Sequence, residues 1–110
     1  MAYDADLAER IRELVAAERG VEEKQMFGGL AFLVNGNMAV VVSSAGGLMV
    51  RVAPEQTERF LSREHVEPMV MSGREMRGWL RVRADGVTTK RRLSAWVTRG
   101  VDRAKELPAK

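Results

Sequence analysis

The sequence of 110 residues contains no cysteine, which excludes disulfide bonds and thiolate metal sites. Its hydrophobic content of 45% is enough for a modest core and too high for a disordered chain. No apolar run approaches the roughly 18 residues of a membrane-spanning helix. The N-terminal segment carries Asp4 and Asp6 and lacks the basic-then-apolar layout of a signal peptide. We therefore expect a single domain over residues 1–110, cytoplasmic and without membrane association.

The charge of the chain is distributed unevenly, although the net value is only +3. Residues 1–73 hold 7 Lys and Arg against 11 Asp and Glu, whereas residues 74–110 hold 11 against 4. Such asymmetry indicates either a basic binding surface or two halves of one fold that compensate each other.

The first predicted element is an amphipathic helix. Leu7, Ile11, Leu14 and Val15 recur at the spacing that places them on one helical face. Gly20 follows the last periodic residue and is typical of a helix end.

A hairpin is predicted where two apolar runs, Leu30 to Val34 and Met38 to Val42, flank Asn35-Gly36. Asn-Gly favours a two-residue type I′ turn, because both central residues need a positive φ. This turn sets Val34 opposite Asn37, Leu33 opposite Met38 and Phe32 opposite Ala39. Both faces of the hairpin are then apolar, with Leu30, Phe32 and Val41 on one and Leu33, Met38 and Val40 on the other.

The remaining elements follow from alternation, turn residues and helix signals. A third strand covers Leu48 to Val52, and a short helix runs from Pro54 to about Leu61. An edge strand near Met69 to Met71 and a strand over Gly78 to Arg83 come next, and Thr88 or Thr89 caps a final helix that reaches Leu107. The order α-β-β-β-α-β-β-α predicts a two-layer α+β fold with one antiparallel sheet and helices on one face.

Two motifs carry a resemblance to a known family. Residues 26–32 read Met-Phe-Gly-Gly-Leu-Ala-Phe ahead of the Asn-Gly hairpin, and residues 73–79 read Gly-Arg-Glu-Met-Arg-Gly-Trp. With the order of elements from Ile11 to about Val101, these motifs resemble the N-terminal domain of the TfoX/Sxy family. The second motif departs from the common pattern by having Glu75 where members often have proline.

The resemblance implies a secretion-chaperone-like α+β fold and a regulatory role. Family regulators are linked to natural competence, as co-activators beside a cyclic-AMP-responsive transcription factor. Those regulators carry a second domain after this one, whereas the sequence ends at Lys110. We therefore do not expect the competence role itself to be inherited.

Signals for catalysis are weak. His65 is the single histidine, and no nucleophile-elbow motif surrounds any serine, Ser62 included. We expect a solvated loop histidine rather than a catalytic base. One histidine and scattered carboxylates are a poor ligand set for a metal. Gly28-Gly29 and Gly46-Gly47 match no phosphate-binding spacing, so no cofactor is expected.

The second face of the sheet is the first predicted binding surface. Alternation places Trp79, Arg81 and Arg83 on the face opposite Leu80 and Val82, with Arg51 nearby. Helices on one side leave this face open, and a second copy of the chain is the simplest cover. A basic face with a tryptophan also suits single-stranded nucleic acid, although one tryptophan is less than the usual platform.

The last helix provides the second predicted surface. Arg92, Trp96, Arg99 and Arg103 form one ridge beside its apolar stripe. Either Trp96 caps the core and the arginines meet the acidic first helix, or the ridge docks an acidic protein or a nucleic-acid backbone.

These observations predict a non-catalytic regulatory domain that binds a protein, as a homodimer through the sheet face. The alternative is a small nucleic-acid-binding protein that uses the basic Arg/Trp surface. Both hypotheses make the chain a binding module and not an enzyme.

Overall fold

The computed structural model describes residues 3–26 and 28–109. Its three helices are α1 (Ala5–Leu14), α2 (Thr57–Leu61) and α3 (Lys90–Glu106). Its six strands are β1 (Val21–Met26), β2 (Gly29–Val34), β3 (Asn37–Val42), β4 (Leu48–Arg51), β5 (Val66–Met71) and β6 (Arg74–Val82). The strands form one antiparallel sheet in the order β1-β2-β3-β4-β6-β5. The predicted α+β class with a single antiparallel sheet is confirmed, with one strand more than predicted.

The additional strand is β1 at one edge of the sheet. It pairs with β2 along its whole length, from Val21 opposite Val34 to Met26 opposite Gly29. Its four central residues are charged or polar and exposed. Charged side chains protect an exposed strand edge, and they also remove the alternation by which a strand is predicted. Phe27, part of the Met-Phe-Gly-Gly motif, lies outside the described residues.

Helix α1 has the predicted apolar face. The Asp4 carboxylate accepts a hydrogen bond from the Leu7 backbone N–H at 3.1 Å, which caps the helix. Leu7, Ala8 and Ile11 are buried against the core. The periodicity of the sequence therefore identified both the helix and its buried side.

The β2–β3 hairpin has the predicted turn. Its register agrees with the predicted one for the two pairs next to the turn and differs from it beyond them. Asn35 and Gly36 both have positive φ, 53° and 83°, as the type I′ turn requires. Val34 lies opposite Asn37 and Leu33 opposite Met38, but Phe32 lies opposite Val40 and not Ala39. A β-bulge therefore leaves Ala39 without a partner across the hairpin.

The bulge also corrects the predicted faces of the hairpin. Val40 joins Leu30 and Phe32 in the core beneath the helices, whereas Val41 lies outside that core with Leu33. The predicted faces have Val40 and Val41 the other way round, which is wrong. An ideal two-residue hairpin has no extra residue, so strict alternation misassigns every position beyond the bulge.

The core lies between the helices and one face of the sheet. Leu48, Val50, Leu80 and Val82 belong to this core, to which the buried side of α3 contributes six residues. These six are Leu93, Trp96, Val97, Gly100, Val101 and Ala104. Within residues 3–26 and 28–109, no helix has the length and apolar content needed to cross a membrane.

The elements after β4 agree with the predicted ones, with shifted ends. Pro54 begins a single 3-10 turn (Pro54–Gln56) that leads into α2. Strands β5 and β6 both begin earlier in the chain than predicted. Thr89, one of the two residues considered, caps α3 by accepting a hydrogen bond from the Arg92 N–H at 3.2 Å.

Candidate binding surfaces

The face of the sheet opposite the helices, here called the open face, has an apolar middle. Val41 lies between Ala31 of β2 and Met49 of β4. Ala31 is 0% and Val41 1% exposed, yet neither belongs to the core beneath the helices. Leu33, Met38 and Met49 are half-buried around them. Because methionine is flexible and polarisable, this apolar strip can adapt to an opposing surface.

At one side of the apolar strip, Arg51 lies over Trp79. The two residues are cross-strand partners, and the guanidinium carbon of Arg51 is 5.6 Å from the centre of the indole ring. Burial, together with the positive charge of Arg103, lowers the pKa of Arg51. The backbone carbonyl of Met38 accepts a hydrogen bond from its Nη1 at 3.5 Å. Arg51 thereby lies over the aromatic ring at a cation–π distance.

Arg81 and Arg83, both predicted from the alternation, have acidic neighbours. Arg81 is the cross-strand partner of Glu67 on the open face, with its Nε 3.8 Å from that carboxylate. Arg83 follows the end of β6, with nitrogens 3.7 Å from Glu67 and 3.6 Å from Asp85. These contacts compensate much of the positive charge that the sequence suggested for this surface.

Trp96, one of the four residues of the predicted ridge on α3, lies in the core. Its side chain is 6% exposed and meets Phe60 of α2 edge-on, with ring centres 5.6 Å apart. Arg99 covers the ring, its guanidinium carbon 4.6 Å from the centre. Trp96 therefore caps the core, as the first of the two predicted alternatives has it. Arg103 meets Glu106 of its own helix at 3.2 Å, and not an acidic residue of α1.

Two arginines at α2 were not among the predicted site residues: Arg59 lies within the helix, and Arg63 lies two residues beyond its end. The guanidinium carbons of Arg59, Arg63 and Arg99 lie 5.8, 5.1 and 5.1 Å from the centre of the Phe60 ring. We call these three residues the arginine cluster. In the described part of the chain, no carboxylate approaches any of the three within ion-pair distance. The cluster is therefore a compact, uncompensated positive charge.

His65 is less solvated than the sequence suggested. Its side chain is 23% exposed, and its Nδ1 lies 3.2 Å from the Asp85 carboxylate. Its Nε2 lies 3.8 Å from Glu64. The hydroxyl of Ser62 donates to the backbone carbonyl of Arg59 at 3.1 Å, which ties it to the end of α2. Among the residues described, no three His, Asp or Glu side chains are grouped so that they could hold a metal ion.

One groove beside the open face is too small for most cofactors. It has a volume of about 170 Å³ and lies between α2 and β6. Small-molecule sites usually occupy about 300–1,000 Å³. Its lining includes Leu61, Pro68, Met76 and Trp79, and Met76 is 38% exposed. The volume of the groove is therefore below the usual range of a cofactor site.

Comparison with known proteins assigns the chain to a family. The family model of the TfoX N-terminal domain matches residues 13–104, which is most of the 110 residues. The chain belongs to the TfoX N-terminal domain family. No curated protein and no solved structure shows significant similarity to it. The family match spans α3 up to Ala104 and every strand, so both candidate surfaces lie within the TfoX N-terminal domain.

Proposed function

We propose that this TfoX N-terminal domain is a non-catalytic regulatory module that acts by binding protein through its open face, first of all a second copy of itself. The observation that carries the proposal is the apolar strip, in which Leu33, Met38 and Met49 are half-buried without a covering helix. Family membership supports a regulatory role, because the regulators that this domain resembles act beside another protein.

The layout of the open face supports a protein partner. Glu22 and Lys24 of β1 border the apolar strip on one side, and Arg51 and Arg81 border it on the other. An apolar centre within a charged rim is the usual anatomy of a protein–protein interface. Two copies related by a two-fold axis would bring the same strip of each chain together, which makes a homodimer the simplest assembly.

Methyl NMR spectroscopy tests the proposal at the level of the residues concerned. We expect the methyl signals of Met38 and Met49 to shift as the protein concentration rises, because both side chains enter the dimer interface. Met76, exposed near the tip of the β5–β6 hairpin, provides the internal control and should keep its position. Concentration-independent signals from Met38 and Met49 would contradict self-association through the open face.

A nucleic-acid-binding function is the second candidate, and the placement of Trp79 beside Arg51 and Arg81 on the open face is the observation that favours it. Single-stranded nucleic acid would place bases on the indole and phosphates on the arginines. The carboxylates beside Arg81 and Arg83 weaken this candidate. The test is fluorescence anisotropy with a labelled oligonucleotide. A nucleic-acid binder loses affinity steeply as salt rises, whereas an apolar protein interface does not.

A further inference from the structure

The arginine cluster forms at the meeting point of two helices that are distant in sequence. Arg59 lies on α2, Arg63 follows the end of that helix by two residues, and Arg99 comes from the middle of α3. The Phe60 ring, 5% exposed, lies between them. Each guanidinium group is 5.1–5.8 Å from the centre of that ring. The three cations are therefore grouped around one ring.

The cluster is electrostatically unfavourable in the free protein. Burial and the charges of Arg63 and Arg59 lower the pKa of Arg99. The nearby carboxylates are engaged elsewhere: Glu64 lies 3.8 Å from His65, and Glu106 lies 3.2 Å from Arg103. A bound anion would relieve the mutual repulsion of the three guanidinium groups, so charge complementarity defines the kind of ligand.

The geometry also restricts the form of that anion. Phe60 and Trp96 are both buried, so their rings are not free to stack on nucleic-acid bases. The three cations are grouped around one buried ring, whereas an extended strand presents single charges in a row. A phosphomonoester or pyrophosphate group concentrates two or more negative charges and several acceptor oxygens in a small volume. The fork of the guanidinium group matches such oxygens in pairs.

We propose that Arg59, Arg63 and Arg99 form a binding site for a small molecule that carries a phosphomonoester or pyrophosphate group. Arg99 provides the fixed part of the site, because it is half-buried between Trp96 and Phe60. Arg59 and Arg63 are exposed and can close over the ligand from the α2 side. The site is separate from the open face on which the proposed dimer depends.

Isothermal titration calorimetry of the full chain with pyrophosphate at low ionic strength tests the proposal. We expect saturable binding with one site per chain. Arg63→Gln and Arg99→Gln should each weaken it about tenfold or more, the usual effect of removing a hydrogen bond to a charged group. Arg91→Gln, which removes an exposed arginine of α3 outside the cluster, is the matched control and should leave the dissociation constant unchanged.

Three further measurements separate this ligand from its competitors and from a folding defect. Citrate has a similar charge carried on carboxylates, and oligothymidylate carries phosphodiesters; both should bind more weakly than pyrophosphate. The melting temperatures of the Arg59→Gln and Arg63→Gln variants should equal or exceed that of the wild type, because a repelling charge is lost. Leu33→Lys on the open face should bind pyrophosphate as the wild type does.

The outcomes that would overturn the site are equally specific. They are the absence of saturable pyrophosphate binding, tighter binding of citrate or oligothymidylate, or an equal loss of affinity in Arg91→Gln. A monomeric wild-type protein that still binds pyrophosphate would contradict the proposed dimer and leave this site standing. A dimer that does not bind pyrophosphate would contradict this site and leave the proposed dimer standing.

Discussion

Gly100 is the residue at which α3 comes closest to the sheet. A Cβ atom placed there would lie 2.5 Å from the carbonyl oxygen of Ala39 and 2.7 Å from a methyl carbon of Val40. Real Cβ atoms do not approach backbone oxygens so closely. The bulged residue of β3 and the glycine of α3 therefore lie directly against each other, and any larger side chain would push the helix away from the sheet.

Gly100→Ala tests this close approach. Alanine has the better helix propensity by up to about 1 kcal/mol, but here we expect a net loss of stability of about 1–3 kcal/mol from overpacking. Urea unfolding would measure the loss. Thr98→Ala, at an exposed position of the same helix, is the control and should be neutral or slightly stabilising. An unchanged unfolding midpoint in Gly100→Ala would refute the argument.

Asn37 is a buried polar residue with a structural role. Its side chain is 1% exposed, and its Nδ2 donates hydrogen bonds to the carbonyls of Ala104 at 3.4 Å and Pro108 at 2.9 Å. It thereby ties the start of β3 to the C-terminal end of α3 and to the segment that follows it.

Asn37→Ala should cost about 1–3 kcal/mol, because it removes the two hydrogen bonds that this buried side chain donates. Hydrogen exchange should then be faster at the C-terminal end of α3, while α1 keeps its protection relative to global unfolding. Asn35→Gly in the adjacent turn is a suitable control, since glycine readily adopts the positive φ of Asn35. Uniformly faster exchange throughout the chain would argue against a local role.

At the scale of elements, α1 and β1 are joined by an ion pair. Arg12 donates to both carboxylate oxygens of Glu23, at 2.7 and 2.8 Å, and also to Glu9 at 3.0 Å. The hydrogen bonds from Arg12 lower the pKa of Glu23 below its ordinary value, against the opposing effect of burial. Conversely, the bond to Glu23 raises the pKa of Arg12.

The sign of the shift at Glu23 predicts a pH dependence. A carboxylate with a lowered pKa in the folded state stabilises the fold above its unfolded pKa, and this contribution is lost as pH falls through the folded pKa. The difference in stability between the wild type and Glu23→Gln should therefore be present at neutral pH and disappear in acid. Chemical unfolding of both proteins across acidic pH would measure it, and a difference that persists below the folded pKa would contradict the pairing.

The elements differ in how well the sequence predicts them. Helices α1 and α3 and the Asn35-Gly36 turn are encoded locally, by helical periodicity and by the positive φ that the turn requires. Strand β1 is not, because an edge strand with polar side chains on both faces shows no alternation. The bulge at Ala39 depends on the packing of α3, and the local sequence of the hairpin does not predict that packing.

At the scale of the whole molecule, the open face and the arginine cluster also differ in how well the sequence predicts them. Alternation along β6 was enough to place Trp79 and Arg81 on the open face. The arginine cluster could not be predicted, because it requires α2 to lie against α3 across the intervening residues 62–89. A short helix with Arg59 in it and Arg63 just beyond its end resembles any solvated helix until its neighbour is known.

The open face is the central feature of the proposed function, and sedimentation equilibrium tests it most directly. Leu33→Lys should disrupt association without unfolding the chain, because Leu33 is half-buried and its cross-strand neighbour Glu22 can accept the lysine. Val70→Lys, at a position already 56% exposed, is the control and should associate like the wild type. We expect twice the chain mass for the wild type and for Val70→Lys, and the single chain mass for Leu33→Lys. A wild-type protein that sediments as a monomer at every concentration, or a Leu33→Lys variant that still dimerises, would contradict binding through the open face.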